Sequence, residues 1–454
     1  MWGLRTVFHS FINLSGRSQG ISRLNWVVRS GFRDGTIVTM RKIRYNLLED
    51  DASVKDVIEL VVSQGPKDEP VHILDLDDVV AKHQNWRRKL PRVDPFYAVK
   101  CNDDPAIVQT LIALGAGFDC ASKAEIELVL QRGGDPSRII YAHTAKSIDS
   151  LVYAKACGIN LMTFDGEIEL DKINQVHPEA SLVLRIRYDS ANAQVSLGKK
   201  FGCDPEHEAP QLLRYAKSLG LSVVGISFHV GSGNSDHECF YGAIKAAKKL
   251  FDYAQSLGYD LRLLDIGGGY PGDHDKPIDP YATTINGALQ RFFPLKSNVR
   301  VIAEPGTYYV ASAVTLIANV QSKRIVRTPQ GTVRELMYYL NDGLFGSFDW
   351  LNPRKYPPQV IPGNRQLVRS REQFSTTLWG PTCDSTDLIL SGMAMEELQI
   401  GDFLVFDDMG AYGTVLATNF NGFAKPKVMV YISRRSWEQL ELEKRNRRTK
   451  RKGH

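Results

Sequence analysis

The stretch "PFYAVKCNDDP" (residues 95–105) decides how the rest of the chain is read. Phe96, Tyr97, Ala98 and Val99 form a short apolar run, β-prone and bounded by prolines. That pattern predicts a buried strand. The run ends in Lys100. A lysine buried at a strand end is costly as an ammonium, so burial is expected to lower its pKa and make it a nucleophile. The competing reading is a lysine that emerges into solvent where the strand stops.

The same rhythm runs on both sides. From Val71, short apolar runs alternate with helical stretches: "VHILDLDDVV", "PFYAVK" then "PAIVQTLIALG", "AGFDCAS" then "KAEIELVLQRGG", "RIIYAH", "LMTFD" then "GEIELDKINQVHP", "SLVLRIRYD", "SVVGISFHVGSG" then a long helical segment, "LRLLDIGGGYPG", "RVIAEPGTYY". About eight strands with intervening helices over roughly 240 residues predict a (β/α)8 TIM-like barrel spanning 71–313. A doubly wound sheet is the alternative. It usually offers one glycine-rich first turn, whereas polar residues here recur at nearly every strand end, where barrels place their chemistry. After about Ala313 the pattern changes to alternating strands and turns, as in "AVTLIANVQSKRIV", "DFLVFDDMGAY" and "KVMVYISR". This predicts a second, all-β domain over 314–435, with residues 40–70 packed beside it.

Composition narrows the class. The 454 residues are 43% hydrophobic and 24% charged, ordinary for a globular α/β protein. Six cysteines, Cys101, Cys120, Cys157, Cys203, Cys239 and Cys383, are scattered with no CxxC pair. That favours a reducing compartment over a disulfide framework or a metal site. No apolar run reaches membrane-spanning length, so no membrane partner is expected. The net charge of +5 misleads. Residues 1–33 hold five arginines and no acid, and Lys444–Lys452 holds seven more cations. Removing those cations leaves residues 34–443 at −7. The basic ends, 1–39 and 436–454, therefore read as solvated, disordered extensions rather than nucleic-acid arms. Residues 1–35, free of acids as far as Arg33, also have the arginine- and serine-bearing look of a mitochondrial transit peptide, with Met40 as an alternative start. The expected location is the cytoplasm, or the mitochondrion if that segment is a leader.

Chemistry gathers at the strand ends: Lys100, Asp119 in "GAGFDCAS", Arg185 in "LVLRIRYD", His229 in "SFHVGSG", Glu304 in "AEPGTYY", and a turn with Gly267, Gly268 and Gly269 in succession. Consecutive glycines let backbone N–H groups converge on an anion. A lone glycine triplet is a tight turn. With a strand-end lysine in the same barrel it suggests a phosphate cradle beside a lysine able to bond to an aldehyde, as pyridoxal 5'-phosphate requires. Taken singly, His229 also reads as a core histidine, Cys383 as a structural thiol and Asp119 as a helix N-cap.

Eight blocks in order, "PFYAVKCND", "GAGFDCASKAE", "SFHVGSG", "DIGGGYPG", "AEPG", "YYLNDG", "WGPTCDSTD" and "MGAY…FNGF", resemble the eukaryotic ornithine decarboxylases, within the alanine-racemase-like, fold-type III pyridoxal phosphate decarboxylases. The resemblance covers about 70–432. It implies that Lys100 carries the cofactor, Glu304 pairs with the pyridine nitrogen and His229 stacks on the ring. Ser232, the backbone of Gly268, Gly269 and Gly306, and the Tyr412 hydroxyl would hold the phosphate. Asp119 and Arg185 would form the polar wall. Cys383 and Asp384 would reach across a homodimer interface, the thiol protonating the substrate carbon and the carboxylate binding the distal amine, with Phe420 lining that pocket. Diaminopimelate decarboxylases carry Glu at the Asp384 position, so aspartate favours ornithine or lysine, and the product would be putrescine or its homologue.

Three departures accompany the resemblance. Thr307 stands where the family has a phosphate-clamping arginine. Phe345 replaces a tyrosine. Pro353 and Arg354 occupy a stretch where the family offers a substrate-binding aspartate. These losses resemble those of antizyme inhibitors, noncatalytic relatives that bind antizyme, and the stretch Ser147–Pro178 matches the family's antizyme-binding face.

Overall fold

The computed structural model describes residues 36–40, 43–50, 52–190, 192–195, 197–348, 358–363 and 370–452. Eight parallel strands close a barrel in the order Val93–Ala98, Gly117–Cys120, Ile139–Tyr141, Leu161–Phe164, Ser181–Arg187, Ser222–His229, Leu263–Asp265 and Arg300–Ala303, the last pairing back with the first. Helices between them pack outside. The local chemistry is visible at Pro105–Leu114. Asp104 caps it by accepting from Ala106 N–H at 2.7 Å, Pro105 opens it, and Gly115 ends it at φ 84°.

Strand register sorts the barrel interior into layers. Phe96, Ile140, Val183, Leu263 and Ile302 form a dry apolar plug. Gly117 admits the Phe96 ring, since a Cβ there would lie 2.6 Å from it. Two residues further along several of these strands the inward positions turn polar: Arg185, Asp265 and Glu304, beside Asp119, which is in register with Ala98. A period of two therefore sets an apolar floor beneath a charged mouth.

Among the described residues, the second domain is a ten-stranded sheet. Its main path runs Thr36–Met40, Ile43–Leu48, Lys427–Ser433, Val71–Asp75, Val314–Arg327, Val333–Leu340, Gln373–Trp379, Leu388–Glu396. Phe403–Phe406 and Gln359–Ile361 complete it. Val57, Ile58, Val61 and Val62 of helix Val54–Ser63 pack on Val71, Ile73, Ile317, Phe403 and Val405.

Two expectations are corrected. Val71–Asp75 is not a barrel strand: it pairs with Val314–Ile317 and Lys427–Tyr431 in the second sheet. Its apolar run is as barrel-like as any other, and only distant pairing decides its place. The basic end expected as a disordered extension over 436–454 is helical as far as Lys452, within helix Arg434–Lys452. Ser433 N–H donates to Asp77 at 2.7 Å, Trp437 packs on Tyr45 at 5.0 Å between centroids, and Leu440 is buried. A single apolar side, Trp437 and Leu440, docks a helix whose composition reads as solvated. Residues 1–35, Pro353 and Arg354 lie outside the described residues.

Candidate active site

Lys100 sits on a single 3-10 turn, Val99–Cys101, directly after the first barrel strand. Its Nζ forms an ion pair with Asp119 Oδ2 on the neighbouring strand. Asp119 is fully buried, and its Oδ1 has no hydrogen-bond partner among the described residues. Desolvation opposes the Lys100 charge, but the carboxylates of Asp119 and Glu304 outweigh it and hold the ammonium above its ordinary pKa. The lysine side chain keeps 39% exposure toward the open mouth, while protein surrounds its charged end on the other sides. The expectation that burial lowers this pKa is thus corrected: two carboxylates face the group, a fact that Lys100's own strand cannot reveal.

Asp119 does not cap the next helix. Ser122 does, accepting from Glu125 N–H at 3.3 Å, while Glu125 Oε2 accepts from Ala121 N–H at 2.6 Å. With Ser122 capping the helix and Glu125 holding the preceding N–H, Asp119 is left to face Lys100.

His229 ends the strand Ser222–His229. Its Nδ1 accepts from Gly231 N–H at 3.0 Å, so the neutral ring carries its hydrogen on Nε2. Burial, then Arg185 and Lys100, push its pKa well below the usual histidine value. The ring is therefore neutral at physiological pH.

The glycine turn follows Asp265. Asp265 Oδ1 accepts from Gly267 N–H at 2.9 Å, and Gly267 C=O accepts from Glu304 N–H at 2.7 Å. Gly267 lies at φ 61°, where a Cβ would stand 2.1 Å from Phe228 C=O. Gly268 faces the mouth between His229 Nε2 and Glu304, and a Cβ there would lie 2.7 Å from that nitrogen. Only glycine leaves this surface open. Gly269 continues the turn. Gly306 abuts Cys101, the residue after Lys100, and Thr307 Oγ1 lies 3.9 Å from Cys101 Sγ.

Glu304 is buried, and burial, reinforced by Asp265 and Asp119, raises its carboxyl well above the usual range. Asp265 is fully buried and pushed up to about 6. Arg185, its guanidinium over the Phe201 ring at 5.3 Å, opposes both shifts. Ser232 stands on the turn after His229, its N–H on Val195 C=O at 3.1 Å. Tyr412 comes from the second domain at φ 57°, an unusual conformation for a non-glycine residue, with its N–H donating to Cys101 C=O at 2.9 Å. Lys100, Asp119, Arg185, His229, Gly268, Glu304, Gly306 and Tyr412 thus lie around one mouth, with Gly269 continuing the glycine turn and Ser232 on the turn after His229.

Cys383, Asp384 and Phe420 have their contacts elsewhere in the chain. None of the hydrogen bonds or ion pairs among the described residues links them to Lys100. Cys383 is exposed, its N–H donating to Asn421 Oδ1 at 2.9 Å. Asp384 accepts from the Thr386 hydroxyl at 2.7 Å and N–H at 2.8 Å, bonds that hold its carboxyl below the usual range. Phe420 packs on Phe345 at 4.8 Å between centroids. Two residues escaped sequence reasoning. Asp265 carries a signal, a strand-final acid before the glycine turn. Glu125, pushed up to about 7 chiefly by burial, carries only its capping spacing.

The donor set fits a phosphorylated, cationic, ring-shaped cofactor. A cradle without side chains stands beside a neutral imidazole, an unpartnered buried carboxylate oxygen on Asp119 and another on Asp265, and a carboxyl on Glu304 that ionises readily only beside a cation. Residues 76–311 match the family described as pyridoxal-dependent decarboxylase, pyridoxal binding domain.

The chain belongs to the pyridoxal-dependent decarboxylases. Rat ornithine decarboxylase is 42% identical over 416 residues, 89% of this chain and 90% of that protein. Antizyme inhibitor 2 of Xenopus laevis is also 42% identical, over 88% of this chain and 90% of that protein. Among solved structures, the Paramecium bursaria Chlorella virus arginine decarboxylase bound to agmatine aligns with TM-score 0.77 at 40% identity, over 83% of this chain and 100% of that one. The Vibrio vulnificus lysine/ornithine decarboxylase complexed with cadaverine aligns with TM-score 0.74 at 32% identity, over 85% and 98%. As in this decarboxylase family, the barrel is the pyridoxal-binding domain and pyridoxal phosphate the cofactor.

Proposed function

We propose that the protein decarboxylates ornithine to putrescine as a homodimer. Each site would combine the Lys100 mouth of one chain with the Cys383–Asp384 loop of its partner. The observation that carries this reading is the exposure of Cys383 on a face bearing exposed Leu388, Leu416, Phe420 and Phe423, while the complementary machinery sits in the barrel. Exposed apolar side chains grouped near a reactive thiol favour a partner surface.

The cofactor, when bound, supplies a sink for the electron pair left as carbon dioxide departs. The chain's residues do the rest. Lys100 would be the amine that holds the cofactor aldehyde, with Asp119 within reach of its proton. Glu304 would pair with the ring nitrogen, and His229, neutral, would lie against the ring. Gly268, Gly269, Gly306, Ser232 and Tyr412 would hold the phosphate, with Arg185 balancing the acids of the mouth. The Cys383 thiol gives its proton to the substrate carbon. Asp384, ionised, meets the distal ammonium, and the Phe345–Phe420 pair encloses the methylene chain.

A second reading has its own observation. Ile148, Val152 and Ile168 are exposed on the adjacent helices Ile148–Ala156 and Glu167–Val176. Under them, buried Lys146 and half-covered Lys172 share Glu169 at 2.8 Å and 2.6 Å. Such a face, rigid below and apolar above, fits a protein partner, and antizyme is the one proposed. Release of carbon dioxide from carboxyl-labelled ornithine, lysine and arginine, beside a pull-down with purified antizyme, decides between the readings. Release from ornithine supports the enzyme. No release from any of the three, with antizyme captured, supports the noncatalytic binder.

A further inference from the structure

The loop that bears Cys383 is held from outside itself. Asn421, 38 residues downstream, accepts the Cys383 N–H through its side-chain oxygen at 2.9 Å. Asn421 stands at φ 53°, inside the short turn Phe420–Gly422. Left-handed backbone is tolerated by asparagine better than by most residues, so the position is available to it without a large penalty. The same turn presents Phe420 to Phe345, whose C=O accepts from Thr418 N–H at 2.9 Å. The turn is thereby fastened at one end to the Phe345 segment and at the other to the thiol loop.

We propose that Asn421 is a positioning residue for the Cys383 thiol. By holding the Cys383 backbone to the turn that carries Phe420, it fixes the loop that bears the sulfur, so that the proton goes to the substrate carbon. This rests on the decarboxylase reading above for the thiol's role, and on the geometry alone for the tether. The step balances simply. The carbon–carboxylate bond breaks and carbon dioxide leaves. The electron pair stays behind, the substrate carbon takes the thiol proton, and the thiolate regains a proton from solvent. One diamine forms for each carbon dioxide. A displaced thiol would fail that stoichiometry: with the pair protonated at another atom, water would release an aminoaldehyde instead of the diamine, the amino nitrogen staying behind in the site, and carbon dioxide would exceed diamine. Displacements of about 1 Å already matter greatly in proton transfer between positioned groups.

The test compares Asn421→Gly with Asn421→Asp in the full-length holoprotein. Glycine accepts the positive φ and deletes the acceptor. Aspartate keeps an acceptor oxygen. Two quantities are read: the ratio of diamine to carbon dioxide with ornithine, and the rate of Cys383 alkylation by iodoacetamide, corrected with Cys383→Ser. The expected result is a ratio below one and a several-fold change in alkylation rate for Asn421→Gly, with both restored in Asn421→Asp. Wild-type behaviour of Asn421→Gly in both overturns the proposal. So does an aspartate variant that behaves like glycine, because the backbone turn and not the tether would then matter. If the wild type releases no carbon dioxide, the decarboxylase reading fails separately, and an unchanged alkylation rate in Asn421→Gly still overturns the tether.

Discussion

Lys100 and Asp119 form an ion pair across adjacent barrel strands, in which the carboxylate is fully buried and the ammonium faces the mouth. Among the described residues Asp119 Oδ1 has no hydrogen-bond partner, so the ion pair to Lys100 is the direct contact that offsets the cost of that buried charge.

Lys100→Ala should therefore do two things. The protein should lose its yellow colour on dialysis and no longer trap cofactor with borohydride. It should also melt earlier, by an amount corresponding to about 1–3 kcal/mol for an unsatisfied buried carboxylate. Adding Asp119→Asn should recover most of that stability without recovering colour. Absorption spectra and melting curves of the single and double variants check both parts. Retained colour in Lys100→Ala would show that another group holds the cofactor.

Thr307→Arg should tighten cofactor binding. Thr307 opens the short helix after Gly306 and offers a hydroxyl where the family's arginine would clamp a phosphate. A charge-assisted contact contributes about 1.5–3 kcal/mol, roughly ten- to a hundredfold in affinity. Titration of both apoproteins with pyridoxal phosphate measures it. Equal affinities would mean that the phosphate is already neutralised.

Asp265 links stability to pH. Its folded pKa of about 6 lies above the ordinary 3.8, because burial disfavours the charge. The folded state thus binds the proton more tightly. That contribution is fully present below about pH 4 and is lost as pH rises through about 6. Asp265→Asn removes the penalty of ionising the buried acid, by roughly 1–3 kcal/mol. The variant's stability relative to wild type should be higher at pH 7.5 than at pH 5, measured by urea unfolding of the cofactor-free proteins. A difference independent of pH would show that Asp265 does not titrate in this range.

Leu440→Ala should destabilise the protein by about 2–4 kcal/mol if helix Arg434–Lys452 is docked as described. Leu440 is 3% exposed, whereas Leu442, on the same helix, is 58% exposed and its alanine variant should be near neutral. Equal, small effects at both positions would indicate a helix that does not pack.

The barrel was legible because its strands are short apolar runs ending in polar residues, and a closed parallel sheet buries both faces of such runs. Val71–Asp75 was misplaced for the same reason: it has the same composition, and its partners lie far away in sequence. The charged helix Arg434–Lys452 was hidden by its own cations, with Trp437 and Leu440 too few to show a period. Lys100 was found from its position, but its protonation was not, since Asp119 and Glu304 come from other strands. Asn421 stood inside a recognised block beside Phe420, yet nothing local marks a side chain that bonds a loop 38 residues away.

The shared-site claim is tested most directly by mixing Lys100→Ala with Cys383→Ala, each inactive alone, and following carbon dioxide release from ornithine. Equal mixing with random re-association gives half mixed dimers, each with one intact site, so roughly a quarter of all sites should recover under a two-fold interface. Recovery near that fraction supports both residue roles and the dimer. An active wild type whose variants never complement, although the chains exchange, would contradict a site built from two chains.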